Sequence, residues 1–285
     1  MLRKIWYTAA YTGLADSYCI YGFYGGIPTI EAFARARAAA QKAHELEPDL
    51  PDVHVSLALV EHYFGWDLAR EEAELRLAMK LAPRFAASYS WLALMLGFHR
   101  RGNEPIELAR RAAELEPLSA NVQTNVGWSL YGSRRFEESV QEFQRALHID
   151  PNAPYPLWAI ALPYQSLGRY EEAVACAEKA AEVTQRRQTF YIAILGGAYA
   201  YAGRRPEALA LLEELRQRSV SEYVAPSFLA FIHIPLGNAE EAISCLERAC
   251  AERNAFTWWI RDSAVFDPLR THPRFPKLLE KIVPA

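Results

Sequence analysis

The sequence has little of what usually announces a function. Its four cysteines, Cys19, Cys176, Cys245 and Cys250, show neither Cys-x-x-Cys spacing nor the density of a disulfide scaffold. They read as small buried hydrophobes of a reducing compartment. No apolar run reaches the roughly 18 residues that a membrane-spanning helix needs. The slightly basic start, Met1 to Trp6, is soon interrupted by Thr8, Thr12 and Asp16, unlike a secretory leader. Neither sign of charge is in excess: 31 Lys+Arg stand against 34 Asp+Glu, a net charge of −3. That balance supplies no global field for nucleic acid or an anionic membrane surface.

Catalytic signatures are missing too: there is no GxGxxG, Walker loop, HExxH or GxSxG. His54 and His62 lie eight residues apart, which on one helix points them roughly 80° apart and separates them by over about 10 Å, too far for a metal pair. Asp52, Glu61 and His62 could approach a groove carboxylate or water, but acid–base chemistry needs a matched partner that spacing alone does not reveal, and satisfied polar groups are the expected reading. A cytoplasmic, non-enzymatic protein without metal or cofactor is expected.

What the sequence does have is period. Glu47-Pro48, Ala82-Pro83, Glu116-Pro117 and Asp150-Pro151 each close an apolar helical segment, with prolines 35, 34 and 34 residues apart. A period near 34 marks stacked helix-turn-helix units, none of which can bury its apolar face alone. Five residues before those prolines stand Ala43, Ala78, Ala112 and Ala146, small enough for close helix crossing. The runs Gly168 to Ala173, Gly203 to Ala208 and Gly237 to Ala242 repeat one spacing, with Gly in a turn and Ala on the buried side of the next helix.

On these residues the chain resembles a tetratricopeptide repeat array over almost its whole length. The resemblance implies an all-α, right-handed superhelical solenoid of about seven helix pairs with a C-terminal capping helix. One domain over 1–285 is expected, with 253–285 an atypical cap. Leading helices are predicted near 6–21, 51–64, 86–99, 120–132, 154–167, 188–202 and 222–236. Their partners are predicted near 29–46, 67–81, 103–115, 136–149, 170–184, 205–218 and 239–252, followed by a short helix near 276–283. Pro163 and Pro235 fall inside leading helices and predict kinks there. The opening Tyr11 to Tyr18 and the ending Trp258-Trp259-Ile260, Phe266 to Arg270 are similar to tetratricopeptide regions of bacterial regulators that carry kinase, adenylate cyclase or winged-helix domains. No such effector sequence precedes the array, so their activities are not expected here.

A terminal repeat must hide its outer apolar face, which is the role expected of Trp258 and Trp259. A homodimer through that segment is the competing expectation. The repeat register turns Leu59, His62, Tyr63, Leu94, Phe98, Thr124, Trp128, Tyr131, Tyr155, Trp158, Leu162, Gln165, Phe190, Tyr201, Ser227 and Phe231 toward the concave side. Tyr and Trp give large contact area at low entropic cost, so this wall is read as a docking groove for a peptide or protein segment. Packing between helices is the bland alternative for any one ring. The groove carries no Lys or Arg, unlike tetratricopeptide clamps for acidic chaperone tails. Asn125, the one clamp-like residue, is read as a helix-packing hydrogen bond. A ladder of Arg100, Arg101, Arg134, Arg135, Arg169, Arg204 and Arg205 lines the inter-helix turns, each near acids that neutralise it, so nucleic acid is not an expected partner. The alternative function is a sensor whose groove takes a small apolar molecule or signal peptide for a larger signalling or transcription regulator.

Overall fold

The structure, a computed structural model, describes residues 2–99 and 102–282. Among these residues there is no strand, and the helices are α1 (Leu2–Phe23), α2 (Thr29–Leu46), α3 (Pro51–Val60), α4 (Leu68–Leu81), α5 (Ala86–Phe98), α6 (Glu104–Leu115), α7 (Ala120–Gly132) and α8 (Phe136–Ile149). The series continues with α9 (Pro154–Ala159), α10 (Ala161–Ser166), α11 (Tyr170–Val183), α12 (Thr189–Tyr201), α13 (Arg205–Arg218), α14 (Pro226–His233), α15 (Ala239–Ala251) and α16 (Phe275–Glu280). Each leading helix packs on the helix that follows it and on the next leading helix, which is solenoid stacking.

The punctuation read from the sequence sets the boundaries. Helix α4 is capped by Asp67, whose carboxylate accepts from the Arg70 N–H, and α7 by Ser119, whose hydroxyl accepts from the Val122 N–H. Pro163 withholds the N–H that would bond the Ala159 carbonyl, and the expected helix is divided there into α9 and α10 at Ile160. Pro235 likewise leaves α14 short, ending at His233. After α3 the backbone widens into a π-turn, Glu61–Gly65, which ends at left-handed Trp66 (φ 57°).

Small residues fix how closely the units stack. Gly132 ends α7 directly against the carbonyl of Gly97 on α5, leaving no space for a Cβ. Gly25, at φ +74° in the turn between α1 and α2, stands where a Cβ would come within 2.7 Å of the Phe228 ring on α14. That second contact joins the first helix pair to a late one. Tyr24 in the same turn stacks on Tyr191 of α12 at 5.5 Å between centroids and accepts a 3.4 Å hydrogen bond from the Trp158 indole. Asn254 donates to Thr29 at 3.3 Å, and Arg253 donates to the Phe64 carbonyl at 3.2 Å. The two ends of the array therefore meet, and the solenoid closes around a central hollow.

The C-terminal segment corrects two expectations. Phe256, the 3-10 turn Thr257–Ile260 and Phe266 fold back into the hollow instead of covering the outer face of the last repeat. Trp258 rests 4.3 Å from His62 and 4.9 Å from Phe98, and Trp259 stands 5.1 Å from Trp128. Both tryptophans are buried, so the dimer contact expected of them has no exposed surface to use. Covering α15 falls to α16 instead, tied by the Arg274 guanidinium to Glu240 and Glu247. The second correction follows from the first: the concave face is not an open aromatic trough, because this segment fills most of it.

Replacing Gly132 by Ala forces the α5–α7 backbones apart. Overpacking of this kind costs about 2 kcal/mol or more, to be read as a lowered urea midpoint at unchanged m-value; an unchanged midpoint would show that the crossing has slack.

Candidate functional site

The hollow is built from aromatic side chains delivered by successive leading helices. Tyr63 from the π-turn, Leu94 and Phe98 from α5, Trp128 from α7, and Tyr155 and Trp158 from α9 bring six of the sequence-predicted groove residues to one cavity of about 410 Å³. Phe23, Tyr24, Trp91, Trp258 and Trp259 complete its apolar wall. Its mouth is formed by Ile20, Ala87, Glu116, Ser119 and Asn121, with Glu116 the only charged side chain among the described lining residues.

The other predicted residues are placed differently. Leu59 and Phe190 are core. Thr124 is fully buried, its hydroxyl donating 2.6 Å to the Ala120 carbonyl. His62 faces Trp258 in a separate small hollow of about 50 Å³, its Nδ1 2.8 Å from Glu71 Oε1. Leu162, Gln165, Tyr201 and Phe231 surround another gap of about 20 Å³, closed by Trp259 and Val265. Tyr131 borders a shallower hollow beside Arg134 and Asp267. His62, Phe190 and Phe231 are thus packed against rings of the chain's own C-terminal segment.

The polar floor of the main cavity is a three-helix network. Asn125 donates to Ser90 at 2.8 Å and accepts from the Tyr155 hydroxyl at 2.7 Å, which is the helix-packing role expected of it. Burial holds the Tyr155 and Tyr63 hydroxyls well above the usual tyrosine range, so both stay neutral hydrogen-bonding groups. The indole N–H groups of Trp258 and Trp259 are buried without an acceptor within hydrogen-bonding geometry, while that of Trp128 lies beside the Tyr155 hydroxyl. Burial also raises the Glu71 carboxyl, with His62 opposing.

Beside the mouth, a second depression shares Ile20 and Tyr24 with the cavity and adds Asp16, Ser17, Tyr21 and Gln188. Asp16 accepts a 2.7 Å hydrogen bond from Ser56, and burial pushes its carboxyl up to about 6, with Ser56 opposing and Asp52 adding repulsion. Among the described residues no group of three or more His, Cys, Asp and Glu could hold a metal ion, and no helix is long and apolar enough to cross a membrane. Of the arginine ladder, Arg100 and Arg101 lie outside the described residues. Arg134 forms a bidentate pair with Asp267 at 2.7 and 2.9 Å, and Arg135, Arg169 and Arg204 pair with Glu138, Glu172 and Glu207.

The family comparison agrees with this geometry. A tetratricopeptide repeat model matches residues 157–186 and 228–255. The chain carries tetratricopeptide repeats. Superkiller complex protein 3 of Mus musculus is 28% identical over 151 residues, and that of Homo sapiens 27% over 153. Each match covers 50% of this chain but only 9% of the relative's length. Among solved structures, the Cut9–Hcn1 hetero-tetramer of the APC/C superposes with a TM-score of 0.59 at 12% identity, over 96% of this chain and 49% of that one. PilW, a type IV pilus biogenesis factor, superposes at 0.53 with 21% identity, over 70% and 92%. These structural likenesses show the solenoid fold.

What the sequence reading missed in this repeat protein is the contribution of Phe23, Tyr24, Trp91, Trp258 and Trp259 to the cavity. The enlarged turn Gly22 to Pro28 and the adjacent pair of tryptophans were the available signals, but neither states which side of the solenoid its rings reach.

Two measurements test this site. Trp259→Ala removes the ring that touches Phe98, Trp128 and Phe256 and is expected to cost about 3–5 kcal/mol of stability, where a mere end-cap would cost little. For Asp16, burial lifts the carboxyl from the ordinary aspartate value of 3.8 to about 6. Its neutral form is therefore favoured by folding, and this stabilising contribution is complete below pH 3.8 and lost as pH rises through about 6. Asp16→Asn keeps an acceptor for Ser56 and should flatten that fall, leaving the variant more stable at pH 7 by up to about 3 kcal/mol. Urea titrations between pH 4 and 7 would read it, and parallel curves for both proteins would refute the assignment.

Proposed function

We propose that this tetratricopeptide repeat protein is a protein-interaction scaffold that docks a partner segment at the part of its concave face left open by the C-terminal segment. The observation that carries the reading is the 410 Å³ cavity, where rings from four successive leading units converge and the wall is not filled by the chain itself. Pockets of several hundred Å³ with apolar walls and a few placed polar groups are the usual form of a recognition site. Tyr63, Leu94, Phe98, Trp128, Tyr155 and Trp158 are its anchors, and Ser90 with Asn125 orients what enters. The hetero-tetrameric assembly of the similar Cut9–Hcn1 structure supports a role among protein partners.

The remaining members of the original groove set, Leu59, His62, Thr124, Tyr131, Gln165, Tyr201 and Phe231, hold the C-terminal segment or the helices in place and act on a partner only through the shape of the cavity. Alanine substitutions at Trp128 or Trp158 would unpack the core and test folding rather than docking. The mouth is the place to intervene. Ala87→Trp puts a large ring at the rim while removing no core contact. Affinity capture from native lysate should retain partner proteins on the wild-type chain and lose them on this variant, both proteins having the same thermal midpoint. An identical captured set on both would defeat the docking reading.

A further inference from the structure

We infer that the cavity and the depression beside it recognise a partner segment that presents one aromatic side chain flanked by basic residues. This rests on the docking reading above and names the chemistry of the occupant.

The aromatic part follows from what the wall already packs. Trp258 and Trp259 are the chain's own demonstration, seated on Phe98 and Trp128 at 4.9–5.1 Å between centroids. The open volume of about 410 Å³ continues that surface toward Trp91 and Tyr155, so an incoming ring meets the edges and faces that already hold two tryptophans. The indole N–H groups of Trp258 and Trp259 are sealed inside the wall, so an entering ring meets apolar faces and edges.

The basic part follows from charge at the opening. Glu116 stands at the cavity mouth and Asp16 lines the neighbouring depression, which joins the mouth through Ile20 and Tyr24. No Lys, Arg or His lines either space, and neither carboxylate is paired with a cation among the described residues. A carboxylate next to aromatic faces attracts cations by charge and by the ring quadrupole together, and disfavours an acidic segment. Acidic residues alone would be an ordinary solvated rim. Joined to an aromatic cavity, they set the polarity of the occupant.

The test uses the full chain and a short fluorescent peptide with a central tryptophan flanked by lysines, followed by anisotropy at low and high salt. We expect saturable one-to-one binding that weakens at least about tenfold when the tryptophan is replaced by alanine or the lysines by glutamates, and that falls with added salt. Glu116→Lys, an exposed rim change, should narrow or reverse the preference for the lysine peptide. Ala87→Trp should abolish binding of both. Equal affinity for the lysine and glutamate peptides, or for the alanine peptide, overturns the inference, as does an unaltered preference in Glu116→Lys. Saturable binding of the neutral dye Nile red with no peptide binding would assign the cavity to a small apolar molecule and overturn it too. If Ala87→Trp releases the captured partner proteins while the peptides show no preference, the occupant's chemistry is wrong and docking at the mouth stands. If the captured partners stay bound to Ala87→Trp, the docking reading itself falls.

Discussion

Ring-to-ring burial at the centre of the solenoid is the interaction on which the rest of this molecule depends. Phe23 comes from the end of α1 and Tyr24 from the turn that follows, Phe98, Trp128, Trp158 and Phe190 from leading helices, and Phe256, Trp258 and Trp259 from the C-terminal segment. Each such ring buries on the order of 150–250 Å². At about 25 cal/mol per Å² the C-terminal rings together contribute on the order of 10 kcal/mol, an upper estimate because an unfolded chain already hides some of that area. The Arg134–Asp267 pair that also fastens the segment is more than one-third exposed on both sides and is worth less than about 1 kcal/mol. Apolar burial, not the ion pair, therefore holds the segment. Changes of salt would not release it, and the segment behaves as core rather than as a removable plug.

That anchoring changes what a repeat array of this kind offers to a partner. An open solenoid presents a long concave trough, but here the C-terminal segment folds into that trough and leaves the ring-lined cavity beside the first helix. The same closure brings acidic Asp16 and Glu116, a hundred residues apart in sequence, to adjoining openings. Specificity then falls to a small number of rim positions, while the ring-bearing wall serves both stability and recognition. Substitutions on that wall will confound the two, whereas substitutions at the mouth separate them.

Much of the fold was legible because its signals are local. Proline spacing and the Gly-to-Ala runs act within a few residues of the boundaries they set. The breaks at Pro163 and Pro235 follow from a missing N–H and a ring clash in the preceding turn. The candidate site was legible only in part. Tyr63, Leu94, Phe98, Trp128, Tyr155 and Trp158 share an inward register that periodicity reveals. Their cover by Phe256, Trp258 and Trp259 was not legible, because periodicity says which face of a helix is apolar and nothing about which distant segment will cover it.

The sequence by itself determined a helical repeat of fixed length, its turns and the inward direction of its aromatic residues, since each of these is a matter of backbone sterics and side-chain period along a few turns of chain. Only the tertiary structure decided that the array closes on itself, that its C-terminal tryptophans turn inward, and how much of the hollow stays open. Those outcomes depend on curvature accumulated over many stacked units and on contacts between residues as far apart as Thr29 and Asn254, and small differences in packing at each crossing, as at Gly97 and Gly132, add up to a shape that no local pattern encodes.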